Sequence, residues 1–196
     1  MAQAQFEFRP EDRVALTVVD DKLFAVVAGG SSVELRLDLG EQVVELQSQG
    51  LIGIAVTTRR LLAIQPRAGS FAELRFRVSE GPGSIGALHL RDRLAIVELP
   101  TRLVAYTAQP AAWFEIGLGP GEKPREVISD QNVAAIITPR RAIGFSPLSN
   151  GFVEFTLLPT EDLERSTLAS DSVTLVLPHR ILIFRAGDRL WTSLNR

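Results

Sequence analysis

The sequence predicts an all-β protein assembled from five copies of one unit about forty residues long, with four strands to a copy. Three observations carry that expectation. A cation closes a short polar turn at Lys22, Arg60, Arg102, Arg141 and Arg180, at intervals of 38, 42, 39 and 39 residues. Each cation stands between two apolar stretches of five or six residues, rich in Val, Ile, Leu, Phe and Thr and bounded by Gly, Pro, Asn and Ser, the length and composition of strands. Twelve or thirteen residues further on, a lone acid sits inside a third apolar stretch: Glu34, Glu73, Glu115 and Glu154, with Thr192 in that place in the fifth copy. No helix start signal is followed by a sustained 3.6-residue period. Only TEDLERSTLAS, Thr160–Ser170, has the capping character of a single helical turn.

Taken in order, the first strands read VALTVV, IGIAVT, LAIVEL, VAAIIT and SVTLVL, and the second LFAVVA, LLAIQP, LVAYTA, AIGFSP and ILIFRA. The turn between them is tight, because Pro100, Pro139 and Pro178 supply the fixed φ of a type I turn. The next turn contains Gly29-Gly30, Gly69, Asn150-Gly151 or Gly187, and leads to SVELRL, FAELRF, WFEIGL, FVEFTL or LWTSL. A fourth, more polar strand contains Val43–Gln47, Ser84–Leu90, Arg125–Ser129 or Arg165–Ala169. The fifth copy ends at Arg196 without one, and FEFRPED, Phe6–Asp12, precedes the first copy at the spacing of a fourth strand. The N-terminal strand is therefore expected to join the last unit. The units run at about 13–50, 51–92, 93–131, 132–171 and 172–196 plus 5–12, in a single domain 1–196.

A period near forty made only of short strands belongs to a ring or a rod. A rod needs atypical caps at both ends, whereas these two ends make one full unit between them. First and second strands that are apolar on both faces fit small sheets each packed between two neighbours, not a sandwich with a wet side. On these residues the chain resembles β-propellers over essentially its whole length. It lacks the Gly-His and Trp-Asp pairs of WD40 repeats and the double glycines of kelch repeats, so no family's functional residues carry over. The resemblance implies a five-bladed β-propeller, closed by the N-terminal strand, around a channel lined by the first strands.

The totals restrict function. A net charge of -2 and a pI near 5.8 give no nucleic-acid footprint. Cysteine is absent, which excludes disulfides and thiolate chemistry. MAQAQFEFRPEDR lacks the basic start and apolar run of a signal peptide, and no apolar run reaches a membrane span of about 18–20 residues. A cytoplasmic monomer without a membrane partner is the expectation.

Candidate site residues are few. Lys22, Arg60, Arg102, Arg141 and Arg180 occur once per unit, with Arg59, Arg140 and His179 preceding three of them. Gathered at one mouth of the channel they would hold a small anionic ligand or an acidic protein segment. Used once per blade, they would equally serve as braces to carboxylates, with Glu34, Glu73, Glu115 and Glu154 as partners. Acids recur at the opposite turns as Asp12, Asp92, Asp130 and Asp171, where Asp also satisfies its own backbone. Glu98 stands in a first strand where the other copies have Val18, Val56, Ile137 and Val176, and so places one acid against the channel. His89 and His179 lack the spacing of a metal pair, there is no G-x-S-x-G elbow, and GPGSIG and GLGPGEK lack the strand-loop-helix setting of phosphate loops. No cofactor, metal or catalytic residue is called for. The reading is a non-catalytic binding or interaction scaffold. A lectin-like module using Trp113 and Trp191 is the alternative, and a glycoside hydrolase using Glu98 the third.

Overall fold

The computed structural model describes residues 13–27, 31–149 and 151–196. Among the described residues nineteen strands form five antiparallel sheets. Sheet I holds β1 (Val14–Val19), β2 (Lys22–Val27) and β3 (Ser32–Arg36). Sheet II holds β4 (Val43–Gln49), β5 (Ile52–Thr57), β6 (Arg60–Ile64) and β7 (Ala72–Arg75). Sheet III holds β8 (Leu88–Leu90), β9 (Leu94–Glu98), β10 (Arg102–Ala108) and β11 (Ala111–Gly117). Sheet IV holds β12 (Glu126–Ser129), β13 (Ala134–Ile137), β14 (Arg141–Ser146) and β15 (Gly151–Thr156). Sheet V holds β16 (Arg165–Ala169), β17 (Ser172–Val176), β18 (Arg180–Arg185) and β19 (Thr192–Asn195). In every sheet the strands follow chain order, so each is an up-and-down meander.

The units are cut one strand earlier than the sequence reading placed them. The polar strand expected to end each copy pairs with the first strand of the next: β4 with β5, β8 with β9, β12 with β13 and β16 with β17. Connection length explains this. Only Gly50 and Leu51 separate β4 from β5, and only Ser170 and Asp171 separate β16 from β17, which suits antiparallel hairpins. Gly50 makes the first of these turns with φ +54°, and a Cβ there would lie 2.7 Å from the Asp92 Cα. The connections after β3, β7, β11 and β15 are longer, and they carry the chain to the next sheet. Two expectations change in consequence. The first strands are interior, flanked on both sides, so an edge strand and not β5, β9, β13 or β17 borders any central opening. The last sheet is four-stranded from its own residues, with β16 in the place expected for the N-terminal segment. Phe6–Asp12, on which the closure rested, lies outside the described residues. Thr160–Ser170 holds no helix; among the described residues the one helical turn is a 3-10 turn at Pro82–Ser84.

The sheets stack face to face in chain order, and each seam has its own apolar core. Leu23, Ala25, Leu62 and Ile64 join I to II. Ile52, Ile54, Ala95 and Tyr106 join II to III, with a second cluster of Val56, Leu61, Val97 and Val104. Ile96, Leu103, Ile136 and Phe145 join III to IV, and Ile137, Leu175, Leu182 and Phe184 join IV to V. Strands β5, β6, β10 and β13 are buried on both faces, as expected of sheets held between two neighbours. In sheets I and V one face is the more buried, through Leu23 and Ala25 of β2 and Leu182 and Phe184 of β18. Val26 and Leu194 on their other faces are 44% and 49% exposed.

Aromatic packing follows the seams. The Tyr106 and Trp113 rings lie 5.2 Å apart, as do those of Phe184 and Trp191. Both indole N–H groups donate to the preceding sheet, Trp113 to the Ala72 carbonyl and Trp191 to the Val153 carbonyl, each at 3.1 Å. These tryptophans tie neighbouring sheets together.

Candidate functional site: the row of arginines

The five cations open β2, β6, β10, β14 and β18, at the tight turn that each first strand makes with the second. Strand pairing explains their partners. Directly opposed residues share a face, and so do residues two apart on one strand. Glu34, Glu73, Glu115 and Glu154 stand opposite Phe24, Leu62, Val104 and Ile143, two residues beyond each cation. Each acid therefore reaches its cation across the sheet: Lys22 Nζ lies 2.6 Å from Glu34, Arg60 Nη1 is 2.7 Å from Glu73, and Arg102 and Arg141 use Nη1 on Glu115 and Glu154. In the fifth copy the facing residue is Ser193, paired with Leu182; Thr192, named for that place in the sequence reading, stands opposite Ile183.

A carboxylate from a crossing loop also meets each of Arg60, Arg102, Arg141 and Arg180, and sequence reasoning missed it. Glu41, Glu80, Glu122 and Glu161 follow the strand acids by seven residues each time, in the loops that cross from sheet to sheet. Each closes its own turn by accepting the backbone N–H three residues back, from Asp38, Arg77, Gly119 and Leu158, at 2.7–2.9 Å. Arg60 donates Nε and Nη2 to Glu41 at 2.9 and 2.7 Å, and Arg102 and Arg141 grip Glu80 and Glu122 in the same two-pronged way. Thr57 and Thr138 hydroxyls add a bond of 2.7 Å to Glu41 and Glu122. Nη2 also reaches the preceding sheet: Arg102 bonds the Arg75 carbonyl, Arg141 that of Gly117 and Arg180 that of Thr156. The clamp thus fastens a crossing loop, its own sheet and the end of the previous sheet at one point. The constant seven-residue offset between the two glutamates was the available signal.

Electrostatics set these acids apart. Burial pushes Glu41, Glu80 and Glu161 up, but the arginine and backbone bonds outweigh it and hold all three below the ordinary carboxylate range. Glu122 is held at about 2 by Arg141, Gly119 N–H and Thr138 against the same desolvation. A carboxyl depressed in the folded state contributes stability above its unfolded value, and that contribution is lost as pH falls through the folded one. The melting temperature is expected to fall steeply from pH 4.5 toward pH 2. Glu122→Gln should lower it at neutral pH and flatten that acid slope; an unaltered slope by thermal unfolding would contradict the assignment.

Glu98 ends β9 and accepts from His89 Nε2 at 2.8 Å across the β8–β9 pair. It is therefore a partner of His89 within sheet III and sits on an interior strand, not an innermost one. Among the described residues no group of three or more His, Asp or Glu is placed to hold a metal ion. No helix there is long and apolar enough to cross a membrane.

One cleft opens beside the clamps. About 520 Å³ in volume, it lies at the seam of sheets III and IV and is lined by Gly117, Gly119, Glu122, Arg140, Arg141 and Thr156. Arg140 and Arg59 hold equivalent places before their clamp arginines. Arg59 donates Nη2 to the Leu39 carbonyl at 2.8 Å, and its Nη1 lies 3.8 Å from Asp38. Gly119 stands where Asp38 stands, three residues before its clamp glutamate, and an added Cβ would lie 3.1 Å from Arg140 Nη1. Among the described residues, the Arg140 guanidinium has no carboxylate partner.

The strand order and the repeated clamp define the chain as an all-β, five-bladed β-propeller. No protein-family model matches it, and no curated protein matches either. Solved structures similar to it include the N-terminal domain of Nup159 (10% identity, 93% of this chain, 58% of that chain, TM-score 0.37). Kluyveromyces lactis Hsv2 gives 9%, 97% and 62% with a TM-score of 0.41, and Citrobacter koseri AztD gives 12%, 93% and 58% with 0.42. The chain spans less than two thirds of the length of each of these structures.

Proposed function

We propose that the protein is a non-catalytic interaction scaffold that takes up an acidic group of a partner, on a protein segment or a small ligand, at its arginine-bearing end. The observation that carries this reading is Arg140: a guanidinium beside an open cleft, over a glycine, with its counterpart's carboxylate missing. The clamp arginines Arg60, Arg102 and Arg141 are braces on this reading, since each already holds two carboxylates. Lys22 is tied to Glu34 and Glu98 to His89, and neither contributes to the cleft. A guanidinium on a cleft wall recognises a carboxylate by a planar, two-pronged contact that lysine does not reproduce.

The test is titration with a hexaglutamate peptide, read by calorimetry in low salt. Arg140→Gln is expected to weaken binding about tenfold, the loss of one charge-assisted contact. Its melting temperature should stay within about 1 °C of the parent, because the residue is exposed. Equal affinity in the two proteins would overturn the reading.

A further inference from the structure

The row of clamps is incomplete at its last member, and what is missing is one carboxylate. Arg60, Arg102 and Arg141 each use Nη1 to hold a glutamate on the last strand of their own sheet, and Nε to hold the crossing-loop glutamate. Arg180 grips only Glu161, through Nη2, the atom that also meets the Thr156 carbonyl at 3.2 Å. Its guanidinium lies 4.6 Å over the Phe155 ring. Ser193 stands in the facing position. Among the described residues no carboxylate takes the place on Nη1, and Nε is buried without an acceptor. In the complete clamps Nε meets the crossing-loop glutamate, and here Glu161 is held through Nη2 alone; the position an outside acid would take is the one on Nη1.

We propose that Arg180 and Ser193 form a carboxylate-binding site, filled by an acid supplied in trans. The protein's three complete clamps specify the occupant: at the same position on the same face each holds the side chain of a glutamate. Serine carries a hydroxyl where glutamate carries a methylene and a carboxylate, so the atoms that meet Nη1 in the other clamps are missing here. Residues 192–195 are exposed along the whole of β19, which leaves the position reachable from solvent. The Phe155 face holds the guanidinium from one side, so its free edge is preset for a planar partner. The acid can come from a partner polypeptide or from a free small carboxylate, and the chemistry at Arg180 is the same for both. The proposal extends the reading of the arginine-bearing end to a second seam, between sheets IV and V.

Sodium acetate is the probe, set against sodium chloride and sodium phosphate at equal ionic strength. At 100 mM, acetate is expected to raise the melting temperature of the parent protein by about 2–4 °C over chloride. Ser193→Glu supplies the carboxylate in cis. It should raise the melting temperature in chloride and abolish the acetate increment. The Nε–Hε resonance of Arg180, assigned through Arg180→Lys, should shift on acetate addition in the parent. That resonance decides the matter if Ser193→Glu does not fold. An unmoved resonance, an acetate increment that survives in Ser193→Glu, or an equal response to phosphate would overturn the proposal. N-acetyl-Ala-Glu-Ala-amide saturating at a concentration tenfold below acetate assigns the site to a polypeptide; saturation at equal concentrations assigns it to small carboxylates. Arg140→Gln should leave the acetate increment in place, so failure at either seam is told from failure at the other.

Discussion

Replacing Arg102 with Met is expected to lower the melting temperature by roughly 6–20 °C, the loss of about 3–5 kcal/mol that follows when one partner of a buried ion pair is removed. Arg102 is 3% exposed, and it meets Glu80, whose side chain is fully buried. Without the guanidinium, Glu80 must ionise unpaired or take up a proton, and the Arg75 carbonyl loses a donor. Glu115→Gln should cost under about 1 kcal/mol, because Glu115 is half exposed and water screens its pairing. The double replacement Arg102→Met with Glu80→Leu should recover much of the loss, since it removes the stranded charge rather than exposing it to an apolar setting. Thermal unfolding of the four proteins checks the ordering. An Arg102→Met variant melting within 2 °C of the parent, or a double variant worse than the single, would show that the clamp does not hold the sheets.

Gly144→Ala is the second large effect, expected to destabilise by roughly 1–3 kcal/mol and lower the melting temperature by about 2–12 °C. Gly144 lies inside β14, where no turn demands glycine. The reason for it lies across the seam: an added Cβ would stand 2.7–2.8 Å from three ring atoms of Phe184, a fully buried side chain of sheet V. Close approach of a neighbour is one of the few uses of glycine within a strand. If the ring is the obstacle, Phe184→Leu should make the alanine nearly harmless, and the two changes together should cost less than their sum. Strict additivity in chemical denaturation would place the strain elsewhere.

The strands themselves were legible, because short apolar runs bounded by Gly, Pro and Asn leave little choice of element, and the recurrence of the cations fixed their number. The grouping into sheets was not read correctly. Polar character had marked Val43–Gln47 as the end of a unit, whereas the two-residue connection to β5 binds it to the strand that follows; loop length decides pairing before hydropathy does. Half of the clamp was legible in the same way. Glu34, Glu73, Glu115 and Glu154 stood out as charges in apolar surroundings. Glu41, Glu80, Glu122 and Glu161 sit among Gly, Pro, Ser and Thr in loops, where an acid attracts no notice, yet they are the more buried set. Arg140 was read only as the residue before a recurring cation, and Ser193 was not singled out, for a different reason. Each matters through a partner it lacks, and that shows only after the complete copies have been superposed in space.

The crossing-loop half of each arginine clamp faces backward along the polypeptide. Glu41 is made before Arg60, Glu80 before Arg102, Glu122 before Arg141 and Glu161 before Arg180, at separations of 19 to 22 residues. A chain emerging from the ribosome would thus present each new sheet with its anchor already in existence, and lock it within a few seconds of translation at about 5–20 residues per second. Contacts so near in sequence lower the entropic cost of bringing the sheets together. The wheel can be laid down spoke by spoke, in the direction of synthesis, without waiting for its far end.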